Sequence, residues 1–196
     1  MGTPGMCAAL VLGVIAEYTL IRLMNNRGYA VPERTGPVLC VAAGLSCGSV
    51  GYLYSSIYLA VIYGVTLTVL LTAAVVDIHY REIPAFLYRA ILCMGVINFI
   101  VNQNSIWSYA AGFLLSGLIF LGLALIGGMG GGDVKLIASL GLLFGYVKII
   151  CIMVITFLIG ACAGCLLMLG GKVKMKDAIP LAPFVYAAVI ITVIKL

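Results

Sequence analysis

Carboxylates are the side chains in this chain best suited to acid–base chemistry. Six acids and one histidine occur among 196 residues, and the acids are Glu17, Glu33, Asp77, Glu82, Asp133 and Asp177. Asp77 ends the apolar run VLLTAAVV, and Asp133 directly follows the glycine-rich run GGMGGG. Glycine adopts backbone conformations closed to other residues and lets another segment approach closely. Asp77 and Asp133 are therefore the first candidates for a site.

Two aspartates that lie close together can activate a water molecule. When they are partly removed from solvent they cannot easily both ionise, so the pair shares a proton. One then acts as a base towards water while the other donates to a carbonyl oxygen. A structural role is the alternative: Asp77 ends its helix near the lipid headgroups, and Asp133 caps the next helix, where negative charge is favourable. The residues alone leave both interpretations open.

The other titratable side chains have simpler interpretations. Glu33, Glu82 and Asp177 fall in short loops beside basic residues, which predicts solvated carboxylates. Glu17 lies within the first apolar segment, where an ionisable group is costly. We expect it either to pair with a polar group on a neighbouring helix or to stay protonated as a structural residue. His79, a lone loop histidine, is predicted to be solvated.

Composition shows which elements must position these acids. The chain is 64% hydrophobic and 9% charged, with a mean hydropathy of +1.25. A soluble domain carries about a quarter charged residues. Lipid must therefore be the solvent for most of this surface, and we expect an all-α integral membrane protein. The net charge of +5 then concerns membrane topology, and no nucleic-acid partner is predicted.

Eight apolar segments are candidates for membrane-spanning helices, since a span needs roughly 20 apolar residues. They are residues 4–24, 37–52, 56–76, 84–101, 107–126, 133–145, 146–169 and 181–194. The sixth, 133–145, is short, and the alternative for it is a re-entrant helix. The chain shows no internal repeat, so we expect one membrane-embedded domain over residues 1–196.

The basic residues favour eight crossings with both termini outside, because cytoplasmic loops are enriched in Lys and Arg. This topology puts the loops 25–36, 77–83, 127–133 and 170–179 inside. Nine of the eleven basic residues then lie on the cytoplasmic side: Arg22, Arg27, Arg34, Arg81, Arg89, Lys135, Lys172, Lys174 and Lys176. Asp77 and Asp133 share that side.

Cysteine placement predicts neither a disulfide nor a metal site. The seven cysteines lie mostly inside apolar segments, without the even spacing of a secreted framework. Cys162 and Cys165 form a CxxC pair within an apolar segment, with no second pair, and we interpret them as small residues that pack one helix against another. The first 21 residues contain no Lys or Arg, so we expect no cleaved signal peptide.

Three segments resemble the type IV prepilin peptidases. The segment DIHYREIP (77–84) is similar to that family's D-x-x-x-x-x-I-P motif. The segment MGGGDVKLI (129–137) resembles its GxGD motif and the following V-K-L, and IPLAPF (179–184) is similar to its late I-P-x-x-P-F segment. Three signals in order are specific where a lone GxGD is not. The resemblance covers roughly residue 35 onwards.

The resemblance implies a membrane aspartic endopeptidase with Asp77 and Asp133 as catalytic residues. The family removes basic leaders from prepilins and pseudopilins of type IV pilus, competence and protein secretion systems, at the cytoplasmic face of the bacterial inner membrane. It implies prepilin substrates and the lipid bilayer as partners, with no cofactor or metal. Gly130 and Gly132 would let the Asp133 loop approach its partner, and Pro84 would stop the following helix from running back through the turn after Asp77.

Lys135 belongs to the matched V-K-L and has two open interpretations. It either tunes the aspartate pair electrostatically or anchors the positive cytoplasmic face. Ala85 departs from the family, in which Asn or Asp commonly follows the motif proline.

The loop 25–36 is a further departure from the family. Bifunctional members carry a longer loop there with paired CxxC motifs, and they also N-methylate the new terminus with S-adenosylmethionine. This loop is short and has no cysteine. The resemblance therefore implies a short, peptidase-only form.

Two other functions fit part of the pattern. A presenilin-like intramembrane protease shares the GxGD motif, but Val76 stands where that group has Tyr before the first aspartate, and Pro-Ala-Leu is replaced by residues 179–181. A small ion or proton transporter would use intramembrane acids as a relay. Against a transporter, Asp77 and Asp133 share one membrane face, and no inverted repeat is evident.

Overall fold

The computed structural model describes residues 3–32, 34–102, 106–127, 129–171 and 179–195, which form helices joined by short turns. The helices are α1 Thr3–Asn26, α2 Gly36–Leu53, α3 Ile57–Tyr80, α4 Ala85–Val101, α5 Ile106–Leu125, α6 Gly131–Leu169 and α7 Ala182–Lys195. Five of them, α1, α2, α3, α5 and α6, are long and apolar enough to cross a membrane. This confirms the predicted all-α class and fits a multi-pass membrane protein.

The predicted count of eight helices is not confirmed, because residues 131–169 form one element. That element is broken at Gly145, whose backbone is non-helical with φ 74° and ψ 173°. The break falls at the predicted boundary between segments 133–145 and 146–169. We call residues 131–144 the first arm of α6 and residues 146–169 the second arm.

The two arms fold back on each other. Ser116 of α5 donates a hydrogen bond to the carbonyl of Ile137 at 3.3 Å. One turn further along α5, Phe120 stacks on Phe157 with ring centroids 5.6 Å apart. A straight helix would separate Ile137 and Phe157 by about 30 Å. Contacts with neighbouring positions on α5 therefore require α6 to reverse direction at Gly145.

Close packing and a side-chain cap accommodate this reversal. A Cβ added to Gly112 of α5 would lie 2.8 Å from the carbonyl carbon of Gly145, so only glycine permits this approach. The break leaves carbonyl groups at the end of the first arm without partners from the next turn. Asn98 of α4 supplies one partner by donating to the carbonyl of Leu143 at 2.8 Å.

Helix α3 lies at the centre of the bundle and packs against α1, α2, α4 and α7. Buried side chains occupy 72% of its most apolar 18-residue window, against 11% for α1. Leu67 and Leu70 of α3 belong to the same core as Leu140 of α6 and Val185 of α7. Asp77 near the end of α3 is therefore held by a rigid, enclosed helix.

The interpretation of Cys162 and Cys165 as packing residues was wrong. Both are exposed free thiols on the second arm of α6. The glycines of the same segment make the contacts instead: a Cβ on Gly160 would lie 3.4 Å from the Phe184 ring, and one on Gly164 would lie 3.4 Å from the Ile179 side chain. Helix packing here uses the smallest residues and turns the thiols outwards.

Candidate active site

Four segments of the chain meet at one end of the bundle. They are the loop residues 27–32, the turn 81–84, the glycines 130–132 and the start of α7. The hydroxyl of Tyr29 donates to the carboxylate of Glu82, which joins the first two segments. Ile83 packs on Gly132, which joins the second to the third. A cavity of about 310 Å³ lies among the first three, and both Asp77 and Asp133 line it.

Asp77 is fixed by the start of α7. Its side chain is 5% exposed, and its Oδ2 accepts a hydrogen bond of 2.9 Å from the backbone N–H of Ala182. Ala182 is the first residue of α7, where N–H groups have no partner within the helix and the helix dipole favours negative charge. The contact gives the IPLAPF segment (179–184) a role that the sequence analysis missed, although its prolines at 180 and 183 are typical of a helix start.

The turn after Asp77 ends α3 and lies beside the cavity. Arg81 ends α3 in a left-handed conformation with φ 53° and ψ 32°, and its N–H bonds to the Asp77 carbonyl at 2.9 Å. A non-glycine residue in this conformation costs about 1–2 kcal/mol. Pro84, with φ −56°, precedes the first residue of α4 and lines the cavity. The chain is thus turned sharply between α3 and α4.

Asp133 lies in the first turn of α6, and its backbone N–H bonds to the carbonyl of Gly130 at 3.1 Å. The carboxylate is close enough to Asp77 for the two charges to interact. Its Oδ1 is buried and has no hydrogen-bond partner among the described protein groups. The residue lines the cavity, and this oxygen has unused capacity for a hydrogen bond.

The two predicted site-shaping glycines have different surroundings. A Cβ on Gly132 would lie 3.3 Å from the Cβ of Ile83, tighter than an ordinary contact, so Ile83 would have to shift by a few tenths of an ångström. A Cβ on Gly130 would meet only the Asp133 carboxylate, at an ordinary 3.5 Å, and its φ of −76° suits any residue. Close approach of the two motifs therefore depends on Gly132.

Lys135 and His79 both make contacts with groups other than the aspartate pair. The Lys135 ammonium lies 5.5 Å from the centroid of the Tyr88 ring on α4, within cation–π range. This contact favours the anchoring interpretation over electrostatic tuning of the pair. His79 is exposed, and its Nδ1 lies 2.9 Å from the carbonyl of Val75. Neither residue lines the cavity.

The structure describes two of the other four acids, Glu17 and Glu82. Glu17 is fully buried and accepts a hydrogen bond of 3.1 Å from Thr72 of α3, the neighbouring-helix pairing that was one of its two interpretations. Glu82 is exposed, as expected of a loop acid, but it also lines the cavity together with Tyr29, which the sequence analysis did not single out. Glu33 and Asp177 lie outside the described residues.

Fold and site together define a helical membrane protein with two neighbouring aspartates in one cavity at the end of the bundle. A sequence profile of the type IV leader peptidase family matches residues 64–165, a range that includes both aspartates. The chain belongs to this family, which confirms the resemblance drawn from its motifs.

One relative is the Bacillus subtilis (strain 168) protein "Prepilin leader peptidase/N-methyltransferase", 30% identical over 168 residues. The match covers 83% of this chain and 64% of that protein, so the chain spans just under two thirds of the relative's length. No solved structure matches.

Proposed function

We propose that this protein is a membrane aspartic endopeptidase that cleaves the basic leader from type IV prepilins or pseudopilins. The observation that carries the proposal is that Asp77 and Asp133, at the ends of two different helices, line one cavity. Family membership and the name of the Bacillus subtilis relative support the substrate class. We place the reaction at the cytoplasmic face of the bacterial inner membrane, on the side favoured by the basic residues.

The two aspartates have different partners, which assigns them different roles. The N-terminus of α7 stabilises negative charge on Asp77, so Asp77 acts as the base. Asp133 carries the proton and donates it. Asp77 takes a proton from water as the water oxygen bonds to the carbonyl carbon, and Asp133 protonates the carbonyl oxygen. The product of this step is a neutral gem-diol.

Collapse of the gem-diol completes the cycle without a covalent intermediate. The proton on Asp77 passes to the leaving nitrogen as the C–N bond breaks. A hydroxyl proton of the gem-diol returns to Asp133. Both side chains regain their initial states, and no cofactor or metal takes part in this scheme.

The cavity size limits what the enzyme can hold. About 310 Å³ is at the low end for ligand pockets, roughly 300–1,000 Å³. It accommodates a few residues around a scissile bond rather than a folded domain. The substrate must therefore present its leader as an extended segment at the membrane surface.

The test is to incubate the purified protein with a candidate prepilin and to sequence the new N-terminus of the product. We expect cleavage at the leader boundary by the wild type and none by Asp77→Asn or Asp133→Asn, with membrane insertion of both variants intact. Full processing by either variant would refute the assignment. A new N-terminus within the hydrophobic segment of the substrate would favour a presenilin-like protease instead.

We further propose that the protein does not methylate its product, because the short loop 25–36 contains no cysteine. Mass spectrometry of the cleaved pilin, with S-adenosylmethionine in the assay, should show an unmodified N-terminus. A methylated product would contradict the peptidase-only form.

A further inference from the structure

Glu82 and Tyr29 stand on the rim of the cavity, outside the motif positions that carry the proposed chemistry. The Tyr29 hydroxyl donates to Oε1 of Glu82 across 53 residues of sequence. Both side chains line the same cavity as Asp77 and Asp133. A third carboxylate is thus held beside the aspartate pair.

Aromatic contacts hold this rim in place. Tyr29 packs edge-on against Tyr80, with ring centroids 5.3 Å apart and planes at 84°. The Tyr80 hydroxyl donates in turn to the carbonyl of Ala30 at 3.2 Å. Arg27 lies over the Phe86 ring, 4.8 Å from its centroid, and ties the same loop to α4. Glu82 is therefore preorganised by two loops that brace each other.

Tyr29 holds the Glu82 carboxylate through its hydroxyl group. The hydrogen bond to Glu82 is the main cause that raises the pKa of the Tyr29 hydroxyl, with smaller contributions from burial and from the negative charge of Glu82. The hydroxyl therefore keeps its proton and remains a neutral donor. Tyr29, as a hydrogen-bond donor, thus positions the Glu82 carboxylate.

The cavity as a whole is negative. Its lining includes three carboxylates, on Asp77, Glu82 and Asp133, and one guanidinium, on Arg81. With all four ionised the lining carries a net charge of −2, and it carries −1 when the aspartate pair shares a proton. Such a cavity attracts a cationic group and raises its local concentration.

We propose that Glu82, positioned by Tyr29, is the subsite for a Lys or Arg side chain of the substrate near the scissile bond. This inference rests on the proposed function, since it places the cation on the leader that the enzyme removes. Because Glu82 is exposed, the ion pair lies at the rim, where charge acts mainly on substrate capture and is weakened by salt.

Two synthetic prepilins test the subsite, identical except that every Lys and Arg of the leader is Gln in the second. The full-length protein in vesicles cleaves both, and kcat/KM is measured at low and high salt. We expect Glu82→Gln to lower kcat/KM about tenfold on the basic leader at low salt, mainly through KM, with a smaller loss at high salt. On the neutral leader the same variant should match the wild type within about twofold.

Two further variants separate a charge subsite from a structural role. Tyr29→Phe keeps the Glu82 carboxylate but removes the hydrogen bond that positions it. We therefore expect a smaller loss of kcat/KM than in Glu82→Gln, again confined to the basic leader. Glu82→Lys should prefer a leader whose basic residues are replaced by Glu. Glu17→Gln, which removes a carboxyl that does not line the cavity, should leave the preference of the wild type unchanged.

The outcomes distinguish this inference from the proposed function. Equal losses by Glu82→Gln on both leaders, or no loss on either, would overturn the subsite. Failure of the wild type to cleave any prepilin would instead overturn the proposed peptidase activity. If Glu82→Gln does not insert in the membrane, Tyr29→Phe becomes the deciding variant. A loss of kcat/KM by Tyr29→Phe that is equal on the two leaders, or no loss on either, then overturns the subsite.

Discussion

Two regions of the molecule hold buried carboxyl groups, and in the described part of the chain they differ in whether the acids themselves line a cavity. Glu17 of α1 is fully buried, with one oxygen bonded by Thr72 and the other without a partner among the described groups. Asp133 likewise has one buried oxygen without such a partner. The difference is that Asp133 lines a cavity of about 310 Å³ together with other carboxylates, whereas the cavity of about 480 Å³ beside Ala16 is not lined by Glu17.

Position along a helix explains the difference. Glu17 lies in the middle of α1, where backbone donors are used by the helix itself. Asp77 and Asp133 lie near helix ends, where free N–H groups and turns surround them. A buried acid is thus a weak sign of function. A buried acid at a helix end, facing a second acid across a cavity, is a much stronger one.

The largest expected effect is the loss of kcat on replacing an aspartate of the cavity, compared with replacing Glu17. Asp77→Asn or Asp133→Asn should lower kcat for prepilin cleavage by about 10³-fold or more, because each removes a proton-transfer group. Glu17→Gln is the matched control and should stay within about threefold. Cleavage rates of the three variants in vesicles make the measurement. A comparable loss of kcat in Glu17→Gln would show that the two regions do not differ in function.

The rate of thiol labelling should differ by about tenfold or more between a cysteine at position 133 and one at position 17. In a chain whose seven native cysteines are replaced, Asp133→Cys should react with a membrane-impermeant thiol reagent, and Glu17→Cys should resist it, because thiol reactions need exposure. Inside-out vesicles should be labelled, and intact cells should not, if the cavity faces the cytoplasm. Fast labelling at position 17 would show room around Glu17.

Within the cavity, the two glycines provide a finer comparison. Gly132→Ala should lower kcat/KM about tenfold or more, since its Cβ would press on Ile83 and shift Asp133 relative to Asp77. Gly130→Ala should stay within about threefold. Equal effects of the two substitutions would show that backbone flexibility matters more than the Ile83 contact.

The smallest expected effect concerns Lys135. Because its ammonium lies over Tyr88, Lys135→Met should change kcat by no more than about threefold and leave the pH profile of cleavage in place. A shifted pH profile would instead show that Lys135 tunes the aspartate pair.

Several features of the fold and site were predictable because they depend on local pattern. The apolar content predicted the membrane helices, and the break near residue 145 was placed correctly. The glycine run pointed to Asp133, and the end of an apolar run pointed to Asp77. Each of these signals lies within a few residues of the feature it predicts.

Contacts between distant segments were not predictable in this way. No local pattern shows that α7 donates to Asp77 across 105 residues, or that Tyr29 holds Glu82 across 53. Likewise, the reversal of α6 at Gly145 depends on the fit of Gly112 against it.

The sequence by itself thus determined the solvent of this protein, its helical class and its two candidate catalytic acids. Only the tertiary structure decided which groups surround those acids, because the angles at which helices pack bring together residues whose separation in sequence carries no signal.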